Sequence, residues 1–238
     1  MDHRLWKIDA LRGIAIIGMV FFHANYMLVS LFSIDILDFS QVFWFYLGKI
    51  VVTLFIALAG ISLYLSSYRQ SWSQIWTKSL RRAGIFGCLA LGISLVTYGF
   101  FFLVRISWGI MHFFALSMLL SPLFLIFGRY LLLIGFFIVI CPYIWTPELQ
   151  SILLIPVWYP PFGYFSADYY PIFPWFGVYL IGYSIAHILW SLGIFVRIFS
   201  LDANRYNFLR YIGRHSLFIY MAHIPILYIF LSILLNKR

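Results

Sequence analysis

The sequence predicts an all-α, polytopic membrane helix bundle of about seven transmembrane helices, with its N-terminus in the cytoplasm. Hydrophobic residues make up 64% of the 238 positions and charged residues only 10%, whereas soluble domains carry about a quarter charged residues. The apolar residues also gather into stretches long enough to cross a bilayer, which takes roughly 20 residues per helix. Residues 1–238 are therefore interpreted as a single transmembrane domain.

Seven apolar stretches account for most of the chain. They run over 10–32, 42–65, 83–104, 107–127, 130–146, 171–190 and 214–235. The first stretch follows a basic start and has no small-residue cleavage site, so it is interpreted as an uncleaved span. Residues 191–200 are apolar with one Arg, and they either extend the sixth span or lie in the interface.

The positions of the cations predict the orientation. Most of them flank the spans on one side, in the N-terminal segment, the loop 66–82, the turn at Arg129 and the loop 197–214. Since Lys and Arg concentrate in cytoplasmic loops, this side is predicted to be cytoplasmic, and the other side receives Arg105, Lys237 and Arg238. The same placement accounts for the net charge of +9 without nucleic acid as a partner.

The segments outside the spans carry few motifs. The predicted external loop at 147–170 is long and rich in Pro, Tyr and Trp, which favours a lid or a binding surface over a plain connector. Cys88 and Cys141 lie in apolar runs, so neither indicates a disulfide or a metal site. The sequence contains no Gly-rich phosphate loop, nucleophile elbow or metal-spaced Cys/His set. Any chemistry is therefore expected from isolated polar residues in the spans.

Ionisable residues inside a bilayer are costly and tend to face a cavity or a partner, so each one is a functional hypothesis. Arg12 and His23 are eleven positions apart in the first span, which places them on one helix face about 16 Å apart. That spacing suits an acyl-CoA with its phosphates at Arg12 and its thioester at His23. The alternatives stay open: Arg12 as a positive-inside anchor, His23 as a structural histidine, and Asp9 as an i, i+3 partner of Arg12.

Three further polar residues have open roles. His112 lies near the external end of the fourth span and His223 near the middle of the seventh, and each fits a structural or a site role equally well. Asp168 precedes the sixth span, where it either caps that helix or binds an amine or hydroxyl substrate. Small residues in the spans are predicted to permit close helix packing: Gly84, Gly87, Gly92, Gly177, Gly182 and Ala186.

Five segments in chain order form a recognisable set. They are KIDALRGIAIIGMVFFH, LFIALAGISLYLS, ISWGIMHFFALSMLL, DYYPIFPWFGVYLIG and IGRHSLFIYMAHIPIL. This set resembles the bacterial and archaeal members of the heparan-alpha-glucosaminide N-acetyltransferase catalytic family. The first segment also resembles the wider transmembrane acyltransferase superfamily, with an Arg and a His separated by ten residues. The animal lysosomal members differ in the first external loop, since residues 24–41 contain no His here.

The resemblance implies transfer of an acetyl group from cytosolic acetyl-CoA to an amine or hydroxyl of an extracytoplasmic sugar or glycan. It also implies a multi-pass protein of a prokaryotic cytoplasmic membrane, with the lipid bilayer as surroundings. The candidate catalytic residues are His23 and Asp168, the candidate coenzyme contacts are Arg12, Asp9 and Arg105, and the candidate acyl- or acceptor-site residues are Asn25, Trp108, His112, Trp175 and His223. No metal is expected.

The expected chemistry is acyl transfer, in which a neutral imidazole accepts a proton from the acceptor as it attacks the thioester. Direct transfer and an acetyl-imidazole intermediate on His23 are both open, as are N- and O-acetylation. Trp108, His112 or Asn25 would donate a hydrogen bond to the developing oxyanion. The oligomeric state is open as well, with a homodimer as one alternative. The competing function is a transporter or channel with buried His, Arg and Asp residues as a solute or proton path.

Overall fold

The computed structural model describes residues 6–38, 40–100, 105–145, 151–158, 160–199 and 207–235. Within these residues the chain forms nine α-helices and no strand, which confirms the all-α prediction. The helices are α1 (Trp6–Phe32), α2 (Val42–Ser67), α3 (Trp72–Phe100), α4 (Ile110–Leu125), α5 (Leu131–Ile144), α6 (Ile172–Ser191), α7 (Phe195–Phe199), α8 (Asn207–Arg214) and α9 (Ser216–Leu235). Five of them, α1, α2, α3, α6 and α9, are long and apolar enough to cross a membrane. The chain is a polytopic membrane protein.

The fourth and fifth predicted spans form shorter helices. α4 has 16 residues and α5 has 14, which corresponds to about 24 and 21 Å at 1.5 Å per residue, against a hydrocarbon core about 30 Å thick. α4 begins at Ile110, after the start of the predicted span 107–127, because residues 105–108 bond to the loop before α6 instead. All seven apolar stretches are thus helical, and five of the helices have the full length.

The predicted loop 66–82 is wrong over much of its length, because α3 already begins at Trp72. Ser71 and Gln74 explain the early start by forming a reciprocal capping pair. The Gln74 N–H donates to Ser71 Oγ at 3.3 Å, and the Ser71 N–H donates to Gln74 Oε1 at 3.0 Å. Such a capping box satisfies backbone donors that would otherwise lack partners, so it starts a helix in polar sequence. The predicted loop 197–214 likewise contains α8.

The C-terminus of α6 decides between the two alternatives for residues 191–200. Gly193 adopts a positive φ of 71°. Its N–H donates to Trp190 O at 3.0 Å, and the Ile194 N–H donates to Leu189 O at 3.1 Å. These two bonds form a Schellman motif, which ends a helix at a residue in the left-handed region. Residues 191–200 therefore do not extend the sixth span, and they contain the separate short helix α7.

The chain divides into two compact units, and the first comprises Met1–Leu58 and Ile188–Arg238. In this unit α1 packs against α8 and α9. The α1–α8 contact is unusually close at two glycines. A Cβ added to Gly13 would overlap the Leu209 carbonyl oxygen, and one added to Gly213 would overlap the Asp9 carbonyl oxygen. Only glycine permits this approach of two backbones.

The second unit comprises Ala59–His187, and in it α3 packs against α4. Close packing predicted at Gly177 is confirmed, since a Cβ there would lie 2.5 Å from Gly135 O of α5. Close packing is wrong for three glycines of α3, because a Cβ on each would meet nothing within 4 Å in the described chain: Gly84, Gly87 and Gly92. The single transmembrane domain stays a prediction.

Candidate functional site

Two histidines predicted as site residues meet inside the first unit. His23 projects from α1 and His223 from α9, and their ring centroids are 4.9 Å apart. His223 Nε2 lies 3.3 Å from His23 Nδ1. His223 is buried, with 6% of its surface exposed. The packing of α9 along α1 therefore places two imidazoles from distant parts of the sequence within hydrogen-bond distance.

Each of these rings also contacts a carbonyl of its own helix. His23 Nδ1 lies 3.0 Å from Met19 O, and His223 Nδ1 lies 2.5 Å from Tyr220 O. These contacts hold both rings in a fixed orientation relative to their helices. Among the described residues, His23 Nε2 has no hydrogen-bond partner. That nitrogen is the one ring atom of the pair that is available to a bound molecule.

Arginines gather around one carboxylate at the start of α1. Arg12 lies 3.2 Å from Asp9 Oδ1, and Arg214 Nε lies 3.6 Å from Asp9 Oδ2. The guanidinium group of Arg210 lies over the ring of Trp6, 3.2 Å from its centroid. The i, i+3 pairing of Asp9 with Arg12 is confirmed. Two guanidinium groups pair with this one carboxylate, so the three side chains together are net positive and suited to bind an anion.

The glycine contacts explain why α8 brings its arginines to this place. Gly213 precedes Arg214 in the chain, and its backbone lies against Asp9 O. This contact fixes the position of Arg214 beside the Asp9 carboxylate. Arg210 and Arg214 were not predicted as site residues, because both belong to the basic loop 197–214 that predicted only the orientation. The glycine before an arginine in IGRHS was the available signal for a close helix contact.

Asn25 is buried away from the histidine pair. It is 1% exposed, and both atoms of its amide lack a hydrogen-bond partner among the described residues. Two steps along an α-helix turn the side chain by about 200°, so Asn25 and His23 lie on different faces of α1. Asn25 shares its face with Gly18, which packs against Val51 of α2. The geometry of α1 therefore does not support Asn25 as an oxyanion donor beside His23.

In the second unit, the loop before α6 is attached to the connection between α3 and α4. The Tyr170 N–H donates to Trp108 O at 3.3 Å, and Trp108 Nε1 donates to Tyr170 O at 3.1 Å. The Ala167 N–H donates to Arg105 O at 3.1 Å. Residues 166–170 are thereby held against the segment that leads into α4. Arg105 belongs to this attachment, on the predicted external side, and its role as a coenzyme contact stays a prediction.

Asp168 and His112 both bond to the N-terminus of α4. Asp168 Oδ2 accepts the Ile110 N–H at 3.0 Å, and His112 Nδ1 accepts the Gly109 N–H at 3.2 Å. A Cβ on Gly109 would lie 2.6 Å from Asp168 Oδ2, so glycine makes room for the carboxylate. Asp168 thus caps a helix as one alternative predicted, but the helix is α4, whereas the prediction concerned the sixth span.

Aromatic rings surround this end of α4. The rings of Trp108 and His112 have centroids 5.3 Å apart, and those of Tyr170 and Trp175 have centroids 5.4 Å apart. Burial, and secondly the charge of Asp168, raises the pKa of Tyr170. The Tyr170 hydroxyl is therefore a neutral donor at physiological pH. This feature was not predicted, because Tyr170 is one of several aromatic residues in a loop assigned to the membrane interface.

Eight of the ten predicted site residues fall into two groups, and Asn25 and Arg105 belong to neither. Asp9, Arg12, His23 and His223 lie along the α1 surface that faces α8 and α9, whereas Trp108, His112, Asp168 and Trp175 lie around the start of α4. Among the residues that the structure describes, no group of three His, Cys, Asp or Glu side chains is placed to hold a metal ion.

The comparison with protein families matches residues 4–225 to a family model described as "Heparan-alpha-glucosaminide N-acetyltransferase, catalytic". The matched range covers most of the chain and includes every predicted site residue. Neither the comparison with curated proteins nor the comparison with solved structures found a match.

Proposed function

The chain belongs to the heparan-alpha-glucosaminide N-acetyltransferase catalytic family, and we propose that it transfers acetyl from cytosolic acetyl-CoA to an extracytoplasmic sugar or glycan. The acceptor atom is an amine or a hydroxyl. The observation that carries the proposal is the pair of His23 and His223, because an imidazole with an available nitrogen inside a membrane span is suited to general base catalysis.

The arginines at the start of α1 support a site for the phosphates of the coenzyme. Guanidinium groups bind phosphate oxygens in a bidentate fashion, and the Asp9 carboxylate orients Arg12 and Arg214 without neutralising both. Eleven residues separate Arg12 from His23, and this gives a rise of about 16 Å along one face of α1. An extended pantetheine arm has about this length, so phosphates held at Arg12 would bring the thioester to His23.

The proposed reaction is a direct transfer. The acceptor oxygen or nitrogen attacks the thioester carbonyl carbon and forms the new C–O or C–N bond, while its proton passes to the imidazole of His23. The C–S bond then breaks, and the thiolate leaves with the proton that His23 held. The products are free coenzyme A and the acetylated acceptor, and His23 returns to its neutral form. A positioned base contributes about 10²- to 10⁴-fold to such a step.

For the second unit we propose a role in binding the acceptor. Trp108 and Trp175 offer aromatic faces, and His112 and Asp168 offer polar atoms, a combination typical of small-molecule sites. Asp168 already accepts the Ile110 N–H. Asp168 is proposed to contact the acceptor hydroxyl or amine.

Purified protein in lipid nanodiscs, given acetyl-labelled acetyl-CoA and glucosamine, tests the proposal. The wild-type protein is expected to release coenzyme A and to label the sugar. His23→Gln is expected to lower turnover by at least about 10²-fold, whereas His215→Gln, an exposed histidine on the same unit, is expected to keep it. Normal turnover by His23→Gln would remove His23 from the mechanism. Solute flux across liposomes without release of coenzyme A would favour a transporter.

A further inference from the structure

The proton on His23 can be assigned from its neighbours. His23 Nδ1 lies between two atoms, Met19 O at 3.0 Å and His223 Nε2 at 3.3 Å. A carbonyl oxygen only accepts hydrogen bonds, so the contact with Met19 requires a proton on His23 Nδ1. A neutral imidazole carries one proton, and Nε2 of His23 is therefore the nitrogen with the lone pair.

The same reasoning applies to the second ring. His223 Nδ1 lies 2.5 Å from Tyr220 O and must carry the proton of that ring. His223 Nε2 is then an acceptor, and it faces the donor His23 Nδ1. The His23 Nδ1–H is shared between Met19 O and His223 Nε2, a three-centre geometry that is common in proteins. If both neutral rings instead carried their protons on Nε2, the Nδ1 lone pair of each ring would face a carbonyl oxygen, which is unfavourable.

We infer that His223 is a positioning residue, which together with the Met19 carbonyl holds His23 as the Nδ1–H tautomer, so that Nε2 takes the proton of the acceptor. This inference rests on the proposed function for its catalytic consequence. The Tyr220 carbonyl orients His223, and His223 in turn orients His23. The nitrogen without a partner among the described residues is the one that the reaction uses.

The contacts of the His23 ring do not have to change when the reaction creates its charged form. When Nε2 of His23 accepts a proton, the ring becomes an imidazolium and its Nδ1–H remains directed at Met19 O and His223 Nε2. Hydrogen bonds from a charged donor are stronger than those from a neutral one. The two acceptors therefore keep the ring in one orientation while Nε2 takes up the proton and later returns it to the thiolate.

His112 shows the opposite arrangement. Its Nδ1 accepts the Gly109 N–H, so its proton lies on Nε2, 3.3 Å from Ser94 Oγ. The Ser94 hydroxyl donates to Ile106 O at 2.7 Å and hence accepts from His112. Both nitrogens of His112 are engaged within the protein. Of these two site candidates, only His23 has a nitrogen with a lone pair that no described residue occupies.

Two substitutions of His223 distinguish the effect of the hydrogen-bond acceptor at Nε2 from the effect of the volume of the ring. The amide of Gln reaches the place of Nε2, whereas the amide of Asn ends near Nδ1 and leaves His23 without this acceptor. His223→Gln is expected to keep kcat within about 10-fold of wild type. His223→Asn is expected to lose about 10²-fold or more in kcat, with KM for acetyl-CoA unchanged. Equal kcat values for the two variants would overturn the inference.

Nuclear magnetic resonance of ¹⁵N-histidine-labelled protein tests the tautomer without any activity assay. The His23 signals are identified by their loss in His23→Gln. His23 is expected to carry its proton on Nδ1 in the wild type and in His223→Gln, and to show a measurable population of the Nε2–H tautomer in His223→Asn, where only one of the two acceptors, Met19 O, remains. A proton on Nε2 of His23 in the wild type would overturn the inference even if the variants fail to fold. A wild type with the expected tautomer but no acetyl transfer would instead refute the proposed function.

Discussion

A single methyl group added at Gly13 tests whether α8 is fixed against α1. The Cβ of an alanine there would overlap the Leu209 carbonyl oxygen and would lie 2.8 Å from the Leu209 carbonyl carbon. Ordinary van der Waals contact begins at 3.4 Å, so α8 would have to move by at least about 0.6 Å for the carbon alone. Both atoms belong to the backbone, and no side-chain rotation relieves the overlap.

The expected magnitude follows from two opposing effects. Overpacking typically costs about 1–3 kcal/mol, whereas the change from Gly to Ala within a helix favours folding by up to about 1 kcal/mol. Gly87→Ala is the matched control, because a Cβ on Gly87 of α3 meets nothing within 4 Å. Both variants gain the same helix propensity. The difference between their free energies of unfolding therefore reports the overlap with the Leu209 carbonyl, and Gly13→Ala should be less stable than Gly87→Ala by about 1–3 kcal/mol.

The assay compares the free energy of unfolding of the two variants in the same detergent, together with their affinity for acetyl-CoA. Displacement of α8 also moves Arg214 away from Asp9, so Gly13→Ala should bind the coenzyme more weakly than Gly87→Ala does. If Gly13→Ala is as stable as the control, the two backbones are not in contact, and the placement of Arg214 beside Asp9 loses its physical basis.

Two further predictions concern charged side chains. Arg12→Ala should weaken acetyl-CoA binding by about 10- to 100-fold, as expected for the loss of a charge-assisted hydrogen bond. Replacement of the exposed Arg81 by Ala is the control and should leave the affinity unchanged. If titration calorimetry gives equal affinities for the two variants, Arg12 is only an orientation anchor. Asp168→Ala should lower the free energy of unfolding by about 1 kcal/mol through loss of the α4 cap, and Asp168→Asn, which keeps an acceptor for the Ile110 N–H, should lower it less. Equal losses in a thermal melt would contradict the cap.

Composition was sufficient to predict the helices of the seven apolar stretches, but not α7 and α8, because a membrane requires long apolar segments with internally satisfied backbones. The local errors arose where side chains bond to the backbone. The start of α3 at Trp72 depends on the capping pair of Ser71 and Gln74, which is visible in the sequence but lies among cations that indicated a loop. The late start of α4 depends on hydrogen bonds to the loop 160–171, and no local pattern predicts them.

For the candidate site, individual residues could be predicted from the sequence, but most of the contacts between them could not. His23 and Arg12 share one helix, so their common face followed from the 3.6-residue repeat. The pairing of His23 with His223 joins positions 200 residues apart and depends on the packing of α9 on α1. Asn25 and His23 are close in sequence and were both predicted as site residues, but the turn of the helix places their side chains on different faces of α1.

Sealed proteoliposomes with acetyl-labelled acetyl-CoA outside and glucosamine inside test transmembrane acetyl transfer most directly. The expected result is labelled sugar in the lumen and free coenzyme A outside, in an amount that depends on His23. Labelled sugar formed only when both substrates are on one side of the membrane, or intact acetyl-CoA recovered from the lumen, would contradict transfer across the membrane.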